Sequence, residues 1–179
     1  MRRHPVVVLV LVALAALTLI VKLHGQKAPA SPRKQAEVSF ADGKKVSVDY
    51  GSPSVRGRKI MGELVPYGKV WRTGANEATG FVTDTNLTVG GTTVPAGKYT
   101  LYTLPSEGGW KLIVNKQTGQ WGTEYDEKQD LARIDLKKTA LPSSVEQMTI
   151  SFDKKGGNAA TMNIQWESTG LSVDIQEAK

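Results

Sequence analysis

Met148-Thr149-Ile150-Ser151-Phe152, Thr161-Met162-Asn163-Ile164-Gln165-Trp166 and Leu171-Ser172-Val173-Asp174-Ile175 put an apolar side chain at every second position, with a polar one between. A period of two is the signature of a strand with one face buried and one face wet. The same alternation recurs at Ala132, Ile134 and Leu136, at Val46, Val48 and Tyr50, and at Trp110, Leu112 and Val114. Leu87 and Val89 lead through Gly90-Gly91 into Thr92–Val94, a hairpin signal, and Pro95-Ala96-Gly97 turns into a further run from Lys98 to Leu104. About eight to ten short strands separated by Gly, Pro and Asn, with no helical period, predict an all-β fold: a single antiparallel β-sandwich or flattened barrel. No internal repeat is present. The longest stretch without strand character, Gly51–Arg72, is long for an idle connection and is expected to carry function.

The chain has 179 residues, 23 Lys+Arg against 17 Asp+Glu, and a formal net charge of +6. Taken whole, that excess points to nucleic acid, but its position does not. Residues 1–35 hold Arg2, Arg3, Lys22, Lys27, Arg33 and Lys34 and no acid, so the rest of the chain is electroneutral. A neutral body lacks the positive field that sequence-independent phosphate binding needs, and no nucleic-acid partner is expected.

Residues 1–24 read as a signal peptide or an uncleaved membrane anchor: a basic start, then the apolar run Val6–Val21 ended by Lys22. As a helix the run spans roughly 24 Å against a bilayer core of about 30 Å, and Leu23 with a snorkelling Lys22 extends it over residues 6–23. The basic residues after the run oppose export under the positive-inside bias. Leu23-His24-Gly25 and Ala28-Pro29-Ala30 are both poor cleavage sites. Residues 25–36 then form a linker and residues 37–179 the single β-domain.

The chain has no cysteine, and both histidines, His4 and His24, lie in the tail. Thiolate nucleophiles, Ser-His-Asp catalysis and Cys- or His-ligated transition metals are therefore excluded from the domain, and no cofactor or metal is expected. Asp126, Glu127 and Asp130 lack the ligand spacing of a calcium loop.

The densest polar cluster is Arg56-Gly57-Arg58-Lys59 with Lys69-Val70-Trp71-Arg72-Thr73-Gly74-Ala75-Asn76-Glu77-Ala78-Thr79. Arg72 can hold a carboxylate or sulfate-like group bidentately while Asn76 and Glu77 orient a ligand. The same residues can instead satisfy one another, Arg72 pairing with Glu77 or Asp130 and Asn76 tying down a turn. Trp71 and Trp121, beside glycines in loops, are candidate stacking surfaces, whereas Trp110 and Trp166 fall on apolar strand faces.

Together with Tyr50-Gly51-Ser52-Pro53, Gly57-Arg58, Leu64-Val65-Pro66-Tyr67-Gly68, Pro95-Ala96-Gly97-Lys98-Tyr99, Trp121-Gly122, Tyr125, Asp130 with Arg133, and Trp166-Glu167, the run Val70–Thr79 resembles the bacterial family known as domain of unknown function 2911. The resemblance covers nearly all of residues 37–176. It implies an exported bacterial β-rich domain and no particular reaction.

The expected function is a non-catalytic ligand-binding or interaction module of the cell envelope, periplasmic or secreted. Its site would include Arg56, Arg58, Trp71, Arg72, Asn76, Glu77, Trp121 and Tyr125, and its partner a small molecule, a glycan or an envelope protein. One alternative is a glycan hydrolase with Glu77 and Asp130 as acid and base, their carboxyls roughly 5 to 9.5 Å apart. Another is a scaffold in which the Trp-Arg-Thr-Gly-Ala-Asn-Glu run is a buried polar network.

Overall fold

The computed structural model describes residues 30–178. The expected N-terminal membrane segment lies outside the described residues. Among those described, no helix is long and apolar enough to cross a membrane, and the only helical element is the 3-10 turn Glu127–Gln129.

Nine strands form one antiparallel sheet among the described residues: β1 (Arg33–Ser39), β2 (Lys45–Gly51), β3 (Thr79–Thr83), β4 (Leu87–Val89), β5 (Thr92–Val94), β6 (Gly97–Pro105), β7 (Trp110–Asn115), β8 (Asp130–Gly156) and β9 (Ala159–Glu177). Their order is β1-β2-β3-β6-β7-β8-β9-β4-β5. The Gly90-Gly91 turn joins β4 to β5 as the sequence predicts.

Two strands are far longer than expected. Ala132–Leu136 and Met148–Phe152 belong to the same 27-residue β8, and Met162–Trp166 and Leu171–Ile175 to the 19-residue β9. The breaks between these runs are irregularities inside a continuous ladder. Ala140 faces Thr169, Val145 faces Glu167 and Thr149 faces Gln165, so β8 carries more residues than β9 across this stretch. Pro142 sits in the first excess, where no ladder hydrogen bond is required of it. On β9 the backbone of Glu167 turns to φ 53, and burial changes phase there. Even-numbered residues face the core through Trp166, and odd-numbered ones do so from Thr169 onward.

The groups freed by that mismatch find another partner. Val55 N–H donates to the Glu146 carbonyl at 2.8 Å and Met148 N–H to the Pro53 carbonyl at 2.8 Å, so the segment after β2 pairs with the middle of β8. Ser52 Oγ adds a 2.6 Å bond to the Met148 carbonyl. One step along, Tyr50 Oη accepts from Ile150 N–H at 2.9 Å and donates to the Ile150 carbonyl at 3.4 Å. These bonds satisfy buried main chain that would otherwise cost the desolvation of each group.

The core between includes Trp110, Trp166, Tyr50, Leu101, Met148 and Met162, all essentially without exposure. The long connection after β2 shares in it, since Ile60 and Val65 are fully buried. Its far end is held to β6 by a reciprocal pair, Trp71 N–H to the Thr103 carbonyl at 2.8 Å and Thr103 N–H to the Trp71 carbonyl at 2.9 Å. The loop is therefore an extension of the sheet's core rather than a loose excursion.

Tyr50→Phe keeps the ring but strands the Ile150 N–H. A loss of about 1–3 kcal/mol in unfolding free energy is expected from denaturant titration, and an unchanged midpoint would remove Tyr50 from this account.

Candidate functional site

The stretch Trp71–Thr79 is pinned on three sides. Ala75 N–H donates to the Gly51 carbonyl at 3.1 Å, Ala78 N–H to the Gln120 carbonyl at 3.2 Å, and Gly122 N–H to the Asn76 carbonyl at 3.0 Å. Thr79 Oγ1 lies 2.9 Å from the Thr73 carbonyl and 3.1 Å from that of Arg72. Two residues take left-handed backbone, Asn76 at φ 65 and Thr73 at φ 53. Asn tolerates this conformation, whereas a β-branched Thr does so at a cost that the surrounding structure must impose. Thr73 is fully buried, with its hydroxyl 3.3 Å from that of Thr103.

That conformation sets Arg72 against Gly122. A Cβ on Gly122 would lie 2.5 Å from Arg72 Cδ and 2.6 Å from the Asn76 carbonyl oxygen, so glycine is required for the stem to pass. Beyond the stem, the guanidinium makes no hydrogen bond and no ion pair among the described residues, and its Nε is buried without a partner. Arg72 therefore pairs with neither Glu77 nor Asp130.

Arg72 borders a hollow of about 210 Å³ together with Arg58, Leu64, Trp71, Asn76 and Trp166. Among the described residues, no Asp or Glu lines it. Arg58 is held by main chain, Nε donating to the Val55 carbonyl at 3.1 Å and its terminal nitrogen to that of Ser54 at 2.6 Å. These acceptors are neutral, and Arg58 makes no ion pair among the described residues. Trp71 stacks on Trp166 with ring centroids 5.7 Å apart and planes 16° from parallel, giving the hollow an aromatic wall.

The other candidates lie elsewhere. Glu77 borders a separate hollow of about 300 Å³ with Arg33, Asp49, Lys98, Tyr99 and Gln120. Its carboxylate is 60% exposed and 3.6 Å from Arg33, which also pairs with Asp49. Trp121 bridges Glu77 through the main chain and leaves its side chain 48% exposed. Arg56 is exposed, its guanidinium 3.1 Å from the Ala30 carbonyl.

Tyr125 and Asp130 belong to a closed network. Asp130 Oδ2 accepts from Tyr125 Oη at 2.7 Å and from Arg133 Nε at 2.9 Å, while Oδ1 accepts from Asn115 Nδ2 at 2.9 Å. Arg133 reaches on to Glu127 at 2.7 Å. With both oxygens engaged, Asp130 has little capacity left for a substrate proton, and neither hollow that holds Glu77 or Arg72 includes it. Burial, then the Asp130 hydrogen bond, pushes the Tyr125 hydroxyl up to about 12. No group of three metal-ligating side chains occurs among the described residues.

The family model for Protein of unknown function (DUF2911) matches residues 31–175. The chain belongs to the DUF2911 family. No curated protein and no solved structure matches it. The match takes in every residue that borders the Arg72 hollow, from Ser31 to Trp166. Six of those residues, Ser31, Pro53, Leu64, Gly74, Ala75 and Trp166, lie outside the site expected from the sequence of this DUF2911 domain. Leu64 stood in a loop with no polar chemistry, and Trp166 was assigned to the core by its strand phase. Trp166 is indeed only 2% exposed, yet it also backs the hollow.

The Tyr125 network makes a prediction about alkaline stability. A tyrosine whose hydroxyl is raised in the folded state favours the fold fully below the ordinary value near 10 and loses that contribution as pH rises to about 12. Unfolding free energy should fall across this interval, and Tyr125→Phe should shallow the fall, as measured by denaturant titration at a series of pH values.

Proposed function

We propose that this domain is a non-catalytic binding module for a small anionic ligand, held at Arg72 with Arg58 and Asn76. The observation that carries the reading is the Arg72 guanidinium: charged, with a buried Nε that has no acceptor, in a hollow that no acid lines. Leaving such a donor unsatisfied costs about 1–3 kcal/mol, and native proteins rarely tolerate it without a reason. An incoming carboxylate or oxoanion supplies the missing acceptor and the missing charge together. The rigid loop around it is a pre-organised frame, which lowers the entropy lost on binding.

The domain's address is part of the proposal. A basic start followed by the apolar run Val6–Val21 supports export to the bacterial envelope or anchorage at its membrane. Ser31, which borders the hollow, lies two residues before β1. The return pairing of Pro53–Val55 with Glu146–Met148 supports a flattened barrel as the shape of the folded-over sheet.

Arg72→Met separates this reading from a scaffold role, because it keeps a straight stem against Gly122 while removing the charge and the orphaned donor. Unfolding free energy should stay the same or rise by about 1 kcal/mol, the usual behaviour when a binding group is neutralised. Added acetate or sulfate at constant ionic strength should stabilise the wild type more than the variant. A loss of about 3 kcal/mol or more, as when one partner is removed from a buried ionic network, would make the motif structural.

A further inference from the structure

Four buried side-chain polar atoms lack a partner among the described residues: Arg72 Nε, Trp166 Nε1, Trp110 Nε1 and Gln120 Oε1. Two of the three donors, Arg72 Nε and Trp166 Nε1, belong to side chains that border one hollow. A second polar hollow is different in kind. Along the outer face of β8 and β9, Asp174 takes the Thr161 hydroxyl at 2.6 Å, Asp153 the Asn163 amide at 2.8 Å, and Asp135 the Lys111 ammonium at 2.6 Å. Those groups satisfy one another, whereas among the described residues the Arg72 hollow has no carboxylate, and two of its bordering side chains carry a donor without an acceptor.

We propose that the hollow takes a single carboxylate carried on a compact apolar body. The proposal rests on the anion-binding reading of the same site. Two donors without acceptors call for two acceptor positions, which a carboxylate provides with one group. Beside the polar Ser31, Arg58 and Asn76, the lining has an apolar side made of Leu64, which is 45% exposed, Pro53, and the stacked Trp71 and Trp166. A fully hydrated oxoanion would gain nothing from these walls, while an aliphatic or aromatic body buries against them. The volume of about 210 Å³ equals the liquid share of about seven waters, enough for a carboxylate and one small ring or branched chain. A free acid and the end of a peptide chain both carry this carboxylate, and the hollow recognises the group common to both.

The test uses sulfate, acetate, phenylacetate, benzylamine and a tripeptide ending in phenylalanine, with and without a C-terminal amide. Binding is read by tryptophan fluorescence and by the indole N–H resonance of Trp166. Phenylacetate should bind at least tenfold more tightly than acetate and move the Trp166 indole resonance downfield, and benzylamine should do neither. Leu64→Ser, at an exposed position that the fold tolerates, should weaken phenylacetate several-fold and leave acetate unchanged. Saturable binding of the free-acid tripeptide but not its amide would also support the proposal and would name a chain terminus as the source. Equal affinity for acetate and phenylacetate, an unmoved Trp166 resonance, or sulfate binding without carboxylate binding would overturn the proposal while the anion site stands. If no anion distinguishes the wild type from Arg72→Met, the anion site itself falls.

Discussion

The hydrogen bonds between Pro53–Val55 and Glu146–Met148 join strands that are far apart in the order of the sheet, and the position of the site follows from them. They form because β8 carries more residues than β9 can face between Ala140 and Thr149. Main chain released there would be buried and unpaired, and the segment leaving β2 supplies the missing partners. Once that segment is fastened, Ile60 and Val65 enter the core, and Trp71 arrives at β6 with both of its main-chain groups bonded. The motif that follows has few directions left in which to run.

The contrast between main chain and side chain at the motif is informative. Ala75, Ala78 and Gly122 use their N–H groups to bind the loop to its surroundings, and Thr73 and Asn76 accept left-handed backbone to make those bonds possible. Satisfaction of polar groups is close to complete up to the stem of Arg72 and then stops. A fold that finds partners for nearly every other buried group had the means to place a carboxylate beside this guanidinium, and Glu77 and Asp130 are instead committed to Arg33 and to the Tyr125–Arg133 network. The separation of these carboxylates from Arg72 keeps the hollow positive.

Much of the fold was legible in residue order. The alternation at Met162–Trp166 and Leu171–Ile175 identified both as half-buried strand, and the even-to-odd change of phase between them is the left-handed backbone at Glu167 seen from the sequence side. What the pattern could not convey is that the ladder continues through that change. Ser168-Thr169-Gly170 and Pro142-Ser143-Ser144 have the composition of turns, but Thr169 and Gly170 pair with Ala140 and Thr139, and Pro142-Ser143-Ser144 lie in the excess between two paired stretches of β8. The site was legible in part for a related reason. Arg72, Asn76 and Arg58 stood out by residue type, but adjacency along the chain joined Glu77 to them, whereas the chain bends through left-handed backbone at Thr73 and Asn76 and Glu77 borders a different hollow.

Composition and order alone determined that the basic excess belongs to the N-terminal segment, that the domain has neither cysteine nor histidine, and that it is built of antiparallel strands. These are properties of residue types and their period. Tertiary structure decided which charges meet. It left Arg72 without an acceptor, carried Glu77 to another hollow, closed Asp130 into a network, and brought Trp166, nearly a hundred residues away in sequence, against Trp71. Partner choice depends on distances across strands that lie far apart in the chain, and no local pattern encodes those distances.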